Sequence, residues 1–182
     1  MIFRPDAEWD VIANESTTVG SLLLRYIVPL CLLPSVATVI GIVYFGAGWN
    51  AQHGYAQPVD RALATGVANF LFLACSILLL ALILHWLARL ERSTRKSYTH
   101  ALQVATYGAI PVLLAGAFLV LPVMVMLTLV AGMHSLFLYN GGLRKILGVG
   151  ASEAPMLLSV ALVGFGLAAM ALGAIAASIG LI

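Results

Sequence analysis

Few residues in this chain have the chemistry to act on a substrate, and their spacing narrows the choice further. Of its four histidines, His85, His100 and His134 lie in or beside apolar stretches. Imidazole titrates near neutral pH and ligates metals. No H-x-x-x-H or E-x-x-H pair sets two ligands on one helix face, however. His134, about two helical turns inside its stretch, reads either as a satisfied interior histidine or as a ligand. Asp6, Glu8 and Asp10 are neighbouring carboxylates without a visible partner for acid–base work. Gly148-Val-Gly150 lacks the Lys and Ser/Thr of a phosphate loop, and no G-x-S-x-G elbow occurs. Cys31 and Cys75 both fall within apolar stretches, which suits packing better than a disulfide. The expectation is a chain that is not an enzyme and needs neither cofactor nor metal.

The elements that would hold these residues are dictated by composition. The chain is 62% hydrophobic and 9% charged, against about 25% charged in an average soluble domain. Such a chain cannot cover a core from water, whereas lipid-facing helices should be apolar. Crossing a bilayer takes about 20 helical residues. The apolar stretches supply spans at about 21–45, 62–88, 101–120, 122–140 and 155–181. The break near Val120-Leu121-Pro122 divides a stretch too long for one crossing, with Pro122 tolerated in a first helical turn. The predicted fold is all-α: a polytopic bundle of five transmembrane helices (residues 21–182) preceded by a cytoplasmic segment (1–20) with a short amphipathic, interfacial helix.

Cation placement orients the bundle. Arg4, Arg25, Arg89, Arg92, Arg95, Lys96, Arg144 and Lys145 share one side and only Arg61 falls on the other. Short loops rich in Lys and Arg stay in the cytoplasm, so the N-terminus is expected inside and the C-terminus outside. The first ten residues have no apolar signal region, and the first span is expected to act as the insertion signal. Trp49, Tyr55, Trp86 and Tyr98 mark headgroup levels. The net charge of +2 is too small to suggest nucleic acid.

Several positions inside this frame draw interest. Asp6 to Asn14 reads as a short helix with Trp9, Ile12 and Ala13 on one face. Its acidic character is unlike helices that seek anionic lipid, so Arg25 or the basic 89–96 loop is a candidate to hold it. Glu15 and Arg25 are expected to pair and dock this helix. Pro29, Pro34 and Pro111 each free a carbonyl within a span; Tyr107, one turn before Pro111, is placed for its hydroxyl to reach one. Each proline is either a structural kink or part of a hinge or solute site. Thr38 and Asn69 are the clearest polar residues of the outer half, and Gln103, Thr106 and Asn140 belong to the inner. Ala169, Gly173 and Ala177 form a small-residue stripe, for packing within the chain or for homo-oligomer formation through the fifth helix.

The same residues carry a resemblance. Pro5, Glu8-Trp9, Ile12 and Glu15, then Ser21-Leu-Leu-Leu-Arg-Tyr-Ile-Val-Pro29, Tyr107-Gly-Ala-Ile-Pro111, Leu136-Phe-Leu-Tyr139 and Gly141-Gly-Leu143 follow in order along nearly the whole chain. The pattern resembles bacterial members of the Yip family, prokaryotic relatives of the Ypt/Rab-interacting proteins. The resemblance implies a five-span, N-inside protein of the bacterial inner membrane, linked to membrane organisation, trafficking or homeostasis. The candidate functional residues are therefore Glu8, Trp9, Glu15, Arg25, Pro29, Tyr107, Pro111, His134 and Tyr139. Expected partners are membrane lipid and a cytoplasmic or membrane protein. The alternative is a small transporter or channel whose polar path runs near His134 and the proline-kinked helices.

Overall fold

The computed structural model of the chain describes residues 5–45, 58–90, 97–120 and 124–178, and among these it is helical with no strand. Helix α1 is Pro5–Ala13, and a linker leads to α2, Val19–Leu22. Thr18 starts α2 by a reciprocal cap: its Oγ1 accepts from the Ser21 N–H while Ser21 Oγ accepts from the Thr18 N–H. A π-helical turn, Leu23–Ile27, follows, and α3 runs from Val28 to Phe45. The turn lies just before Pro29, which has no N–H to give; the Val28 N–H instead reaches back to the Leu23 carbonyl. Helix α4 is Val59–Leu90 and α5 is Tyr98–Ala115, continued by a 3₁₀ turn Gly116–Val120. Helices α6, Val125–Lys145, and α7, Ala154–Ser178, complete the described chain.

Among the described residues, three helical segments are long and apolar enough to cross a membrane: Val19–Tyr44, Val59–Leu90 and Tyr98–Val120. The fourth expected span, 122–140, is displaced towards the C-terminus as Val125–Lys145. Over the fifth expected span, 155–181, the structure has the helix Ala154–Ser178. Leu121, Pro122, Trp49, Tyr55 and the cations Arg4, Arg92, Arg95 and Lys96 lie outside the described residues, as do the side chains of the Ala169–Gly173–Ala177 stripe.

Close contacts fix the packing. Helices α5 and α6 are antiparallel: a Cβ on Gly142 would meet Val104, and one on Gly108 would meet Tyr139. The break that the sequence places near Val120-Leu121-Pro122 thus falls between two separate, antiparallel helices. Helices α3 and α5 run parallel. Tyr26 meets Tyr107 at one end, Pro34 packs on Gly116 further along, and Gly41 abuts the Leu119 and Val120 carbonyls beyond that. Helix α4 lies antiparallel to α3, with Gly66 against Val39 and Asn69 Nδ2 donating to Thr38 Oγ1 at 3.5 Å. The two polar residues singled out in the outer half thus meet each other. In lipid, apolar burial drives helix association weakly, so small residues that permit close approach matter most.

Helix α5 is the axis of the bundle: twelve of its eighteen residues are buried, including Gln103, Thr106, Tyr107 and Pro111. Leu84 of α4, Leu138 and Leu143 of α6 and Ala161 of α7 share its core. Cys31 is buried, as a packing residue should be, but Cys75 faces outward; both are free thiols.

Candidate functional site

The N-terminal helix, α1, packs against the bundle. It is docked on α6, and Trp9, with no exposed area, is its anchor. The floor beneath the indole is made by two consecutive glycines. A Cβ on Gly141 would stand 3.1 Å from Trp9 Nε1, and one on Gly142 would stand 2.9 Å from Cη2. Side chains there would lift the ring away. Tyr107 meets Trp9 edge-on, with centroids 6.4 Å apart, and Tyr26 meets Tyr107 at 5.1 Å, so three rings join α1, α5 and the π-helical turn. Ile12 is also buried, whereas Ala13, expected on the same face, is exposed.

Electrostatics complete the docking, through a different pair from the expected one. Glu15 and Arg25 are both exposed, and no ion pair joins them among the described residues. Lys145 Nζ instead donates to both carboxylate oxygens of Asp10 at 2.7 Å. Helical spacing points to near neighbours, while this pair is 135 residues apart in sequence. Gln103 Nε2 adds a hydrogen bond to Thr17 Oγ1 at 2.9 Å, tying the linker after α1 to α5. Lys145 keeps 32% of its side chain exposed and Asp10 64%, and pairs of that exposure contribute about 0–1 kcal/mol. Asp10→Asn is therefore expected to speed amide exchange in α1 only a few-fold. High salt should have a similar effect on the wild type, while removing the buried indole should do far more.

The remaining candidates take varied places. Glu8 lies on the exposed side of α1 and Pro29 faces outward. Pro111 is buried within α5. The hydroxyl that reaches an α5 carbonyl belongs to Tyr139, not Tyr107: it donates to Ala105 O at 3.5 Å, and its ring lies across Gly108. His134 stacks on Phe137 at 6.4 Å, and its enclosed Nε2 has no hydrogen-bond partner among the described residues. His85 meets Tyr98 edge-on, and His100 Nδ1 lies 3.0 Å from Ser97 Oγ. No group of three His, Cys, Asp or Glu side chains among the described residues is arranged to hold a metal.

What the sequence reading missed is the role of Gly108, Gly141 and Gly142, and Lys145 as the partner of Asp10. The glycines did leave a signal. Glycine costs about 1 kcal/mol against alanine inside a helix, so a glycine pair in α6 calls for a packing reason.

A family model described as the Yip1 domain matches residues 1–176. The chain is similar to the inner membrane protein YohC of Escherichia coli strain K12, with 26% identity over 140 residues, covering 76% of this chain and 69% of the relative. The protein of the same name from Escherichia coli O6:H1 matches with the same identity and coverage. No solved structure matches. The family match takes in α1, its glycine floor and nearly all of the helical bundle, and the chain belongs to the Yip1 domain family.

Proposed function

We propose that this chain is a non-catalytic organising or interaction protein of the bacterial inner membrane, linked to membrane trafficking or homeostasis, and that α1 is the surface it offers to a protein partner. The observation that carries the reading is the fixed docking of α1. Its buried face is consumed by Trp9 and Ile12, while Val11 on the outer side keeps 67% of its surface exposed. A short acidic helix held rigidly with an apolar residue outward is suited to recognition. The inner-membrane location draws on the name of the similar Escherichia coli protein and on the apolar helices. A photo-crosslinking residue at position 11 in native membranes should yield discrete protein adducts. Adducts with lipid alone would count against the reading.

The same proposal has five crossings with the N-terminus inside. The α5–α6 reversal supports it, as do the lengths of α6, 21 residues, and α7, 25 residues, against about 20 needed. Further support comes from the gathering of α1, Arg89, Arg144 and Lys145 at one end of the bundle, the end that cations would keep cytoplasmic. A reporter fused after Ile182 should be active only if it requires export; cytoplasmic activity would overturn the orientation.

A transporter is the second reading, and one observation favours it. His134 Nε2, Thr106 Oγ1, Ser135 Oγ and Asn140 Oδ1 are enclosed without partners among the described residues. Buried polar atoms of this kind are normally satisfied, so a polar solute within α5 and α6 would account for them. Flux across liposomes containing the purified protein, lost on His134→Leu, is the result that would favour transport over the organiser.

A further inference from the structure

At the α1 end of the bundle, a groove of about 320 Å³ opens between the end of α6 and the turn into α7. It is walled by Gly141, Arg144, Lys145, Val149 and Ala151. The backbone makes it. Gly148 takes φ 72°, a left-handed conformation that side chains resist. The Val149 N–H then reaches back to the Leu143 carbonyl at 3.1 Å, which tucks the turn under the helix and buries Val149. The volume is within the range of small-ligand sites, about 300–1,000 Å³.

The charges in the groove are unequal. Lys145 is matched by Asp10 at 2.7 Å. Arg144 is exposed, and no acidic side chain meets it among the described residues. Its planar guanidinium is suited to two parallel hydrogen bonds to a phosphate. The Trp9 indole N–H lies beside the Gly141 wall and has no acceptor among the described residues. The small residues Gly141 and Ala151 leave room for a headgroup.

Arg144 also has an apolar approach. On α6, Phe137 precedes it by seven residues and Met133 by eleven, intervals that return to the same helix face. Val130, Met133 and Phe137 are 65%, 74% and 58% exposed. This outward apolar stripe leads down the helix to a single cation.

We propose that the groove binds the phosphate of an anionic phospholipid, with Arg144 as its principal ligand and the acyl chains lying along the Val130–Met133–Phe137 stripe. Free phosphate has the same charge chemistry but no use for the stripe, so lipid is the source to which the geometry points. The inference rests on α6 being a membrane crossing, which the C-terminal reporter tests separately from lipid binding.

The full chain in nonionic detergent, titrated with short-chain phosphatidylglycerol, tests it. Arg144→Gln should weaken binding about tenfold, equivalent to about 1.4 kcal/mol. Ala151→Phe, which fills the groove and leaves charge unchanged, should weaken it comparably. Arg144→Lys, retaining charge without the fork, should fall between. Arg89→Gln, which removes an exposed cation at the end of α4, should leave affinity unchanged, and phosphatidylcholine, whose choline cation would face Arg144 and Lys145, should compete less well than phosphatidylglycerol. Wild-type affinity in both Arg144→Gln and Ala151→Phe would overturn the site. An equal loss in Arg89→Gln would reduce it to diffuse surface charge, and displacement by millimolar inorganic phosphate would reassign it to a soluble anion.

Discussion

Replacing Trp9 by alanine releases α1 from the bundle. The indole has no exposed surface and rests on bare backbone at Gly141 and Gly142. Nothing beneath it can collapse into the space it leaves. Truncating a buried Trp to Ala costs about 3–5 kcal/mol. Helix α1 has only nine residues, and isolated helices below about 12–15 residues are marginal in water. Its helicity therefore depends on docking, and the two should be lost together. Amide exchange over residues 6–13 should accelerate by about a hundredfold or more, the factor expected for about 3 kcal/mol, while α4 and α7 keep their protection. Trp9→Phe should be milder, because Nε1 donates to no acceptor among the described residues and only volume is lost. If exchange in α1 stays at the wild-type rate in the alanine variant, the indole is not the anchor.

This prediction involves residues only partly legible beforehand. Trp9 and Ile12 could be placed on one face because helical spacing is local. The all-helical class and the three long apolar helices could be read from hydrophobicity for the same reason. Which surface receives that face could not. Helix α5 is buried on nearly every side, so no polar stripe in its sequence marks which neighbour lies where. The acidic N-terminus points to a basic partner, yet sequence proximity favours Arg25 or the 89–96 loop, whereas the fold brings Lys145 to within 2.7 Å of Asp10. Folding brings the end of α6 under α1 only after the α5–α6 reversal and the close approach at Gly141 and Gly142 are known. Tyr107 shows the same limit. Its position before Pro111 suggested a hydroxyl seeking a carbonyl, but its ring is taken up by Trp9 and Tyr26. Tyr139, from the antiparallel helix, reaches the α5 backbone instead.

That antiparallel contact gives the second large effect. Gly108→Ala places a Cβ in steric overlap with Cδ1 and Cε1 of Tyr139. The ring has little room to retreat, being 7% exposed and tethered through its hydroxyl to Ala105 O. Forcing atoms into a packed interior costs about 1–3 kcal/mol. The intrinsic preference of a helix for alanine over glycine, about 1 kcal/mol, works in the opposite direction, so the sign of the change reports which wins. Overpacking should win at Gly108, and the variant should melt at a lower temperature in detergent than the wild type. Gly132→Ala on the facing helix is the matched control. A Cβ there meets nothing within 4 Å, so propensity alone acts and stability should hold or rise. Combining Gly108→Ala with Tyr139→Ala removes the clash along with the ring, and the pair should be less destabilised than the sum of the single changes, as expected for residues in direct contact. Equal melting temperatures for the Gly108 and Gly132 variants would mean that the Tyr139 ring does not set the distance between α5 and α6. The register that carries Gly141 and Gly142 under Trp9 would then need another cause.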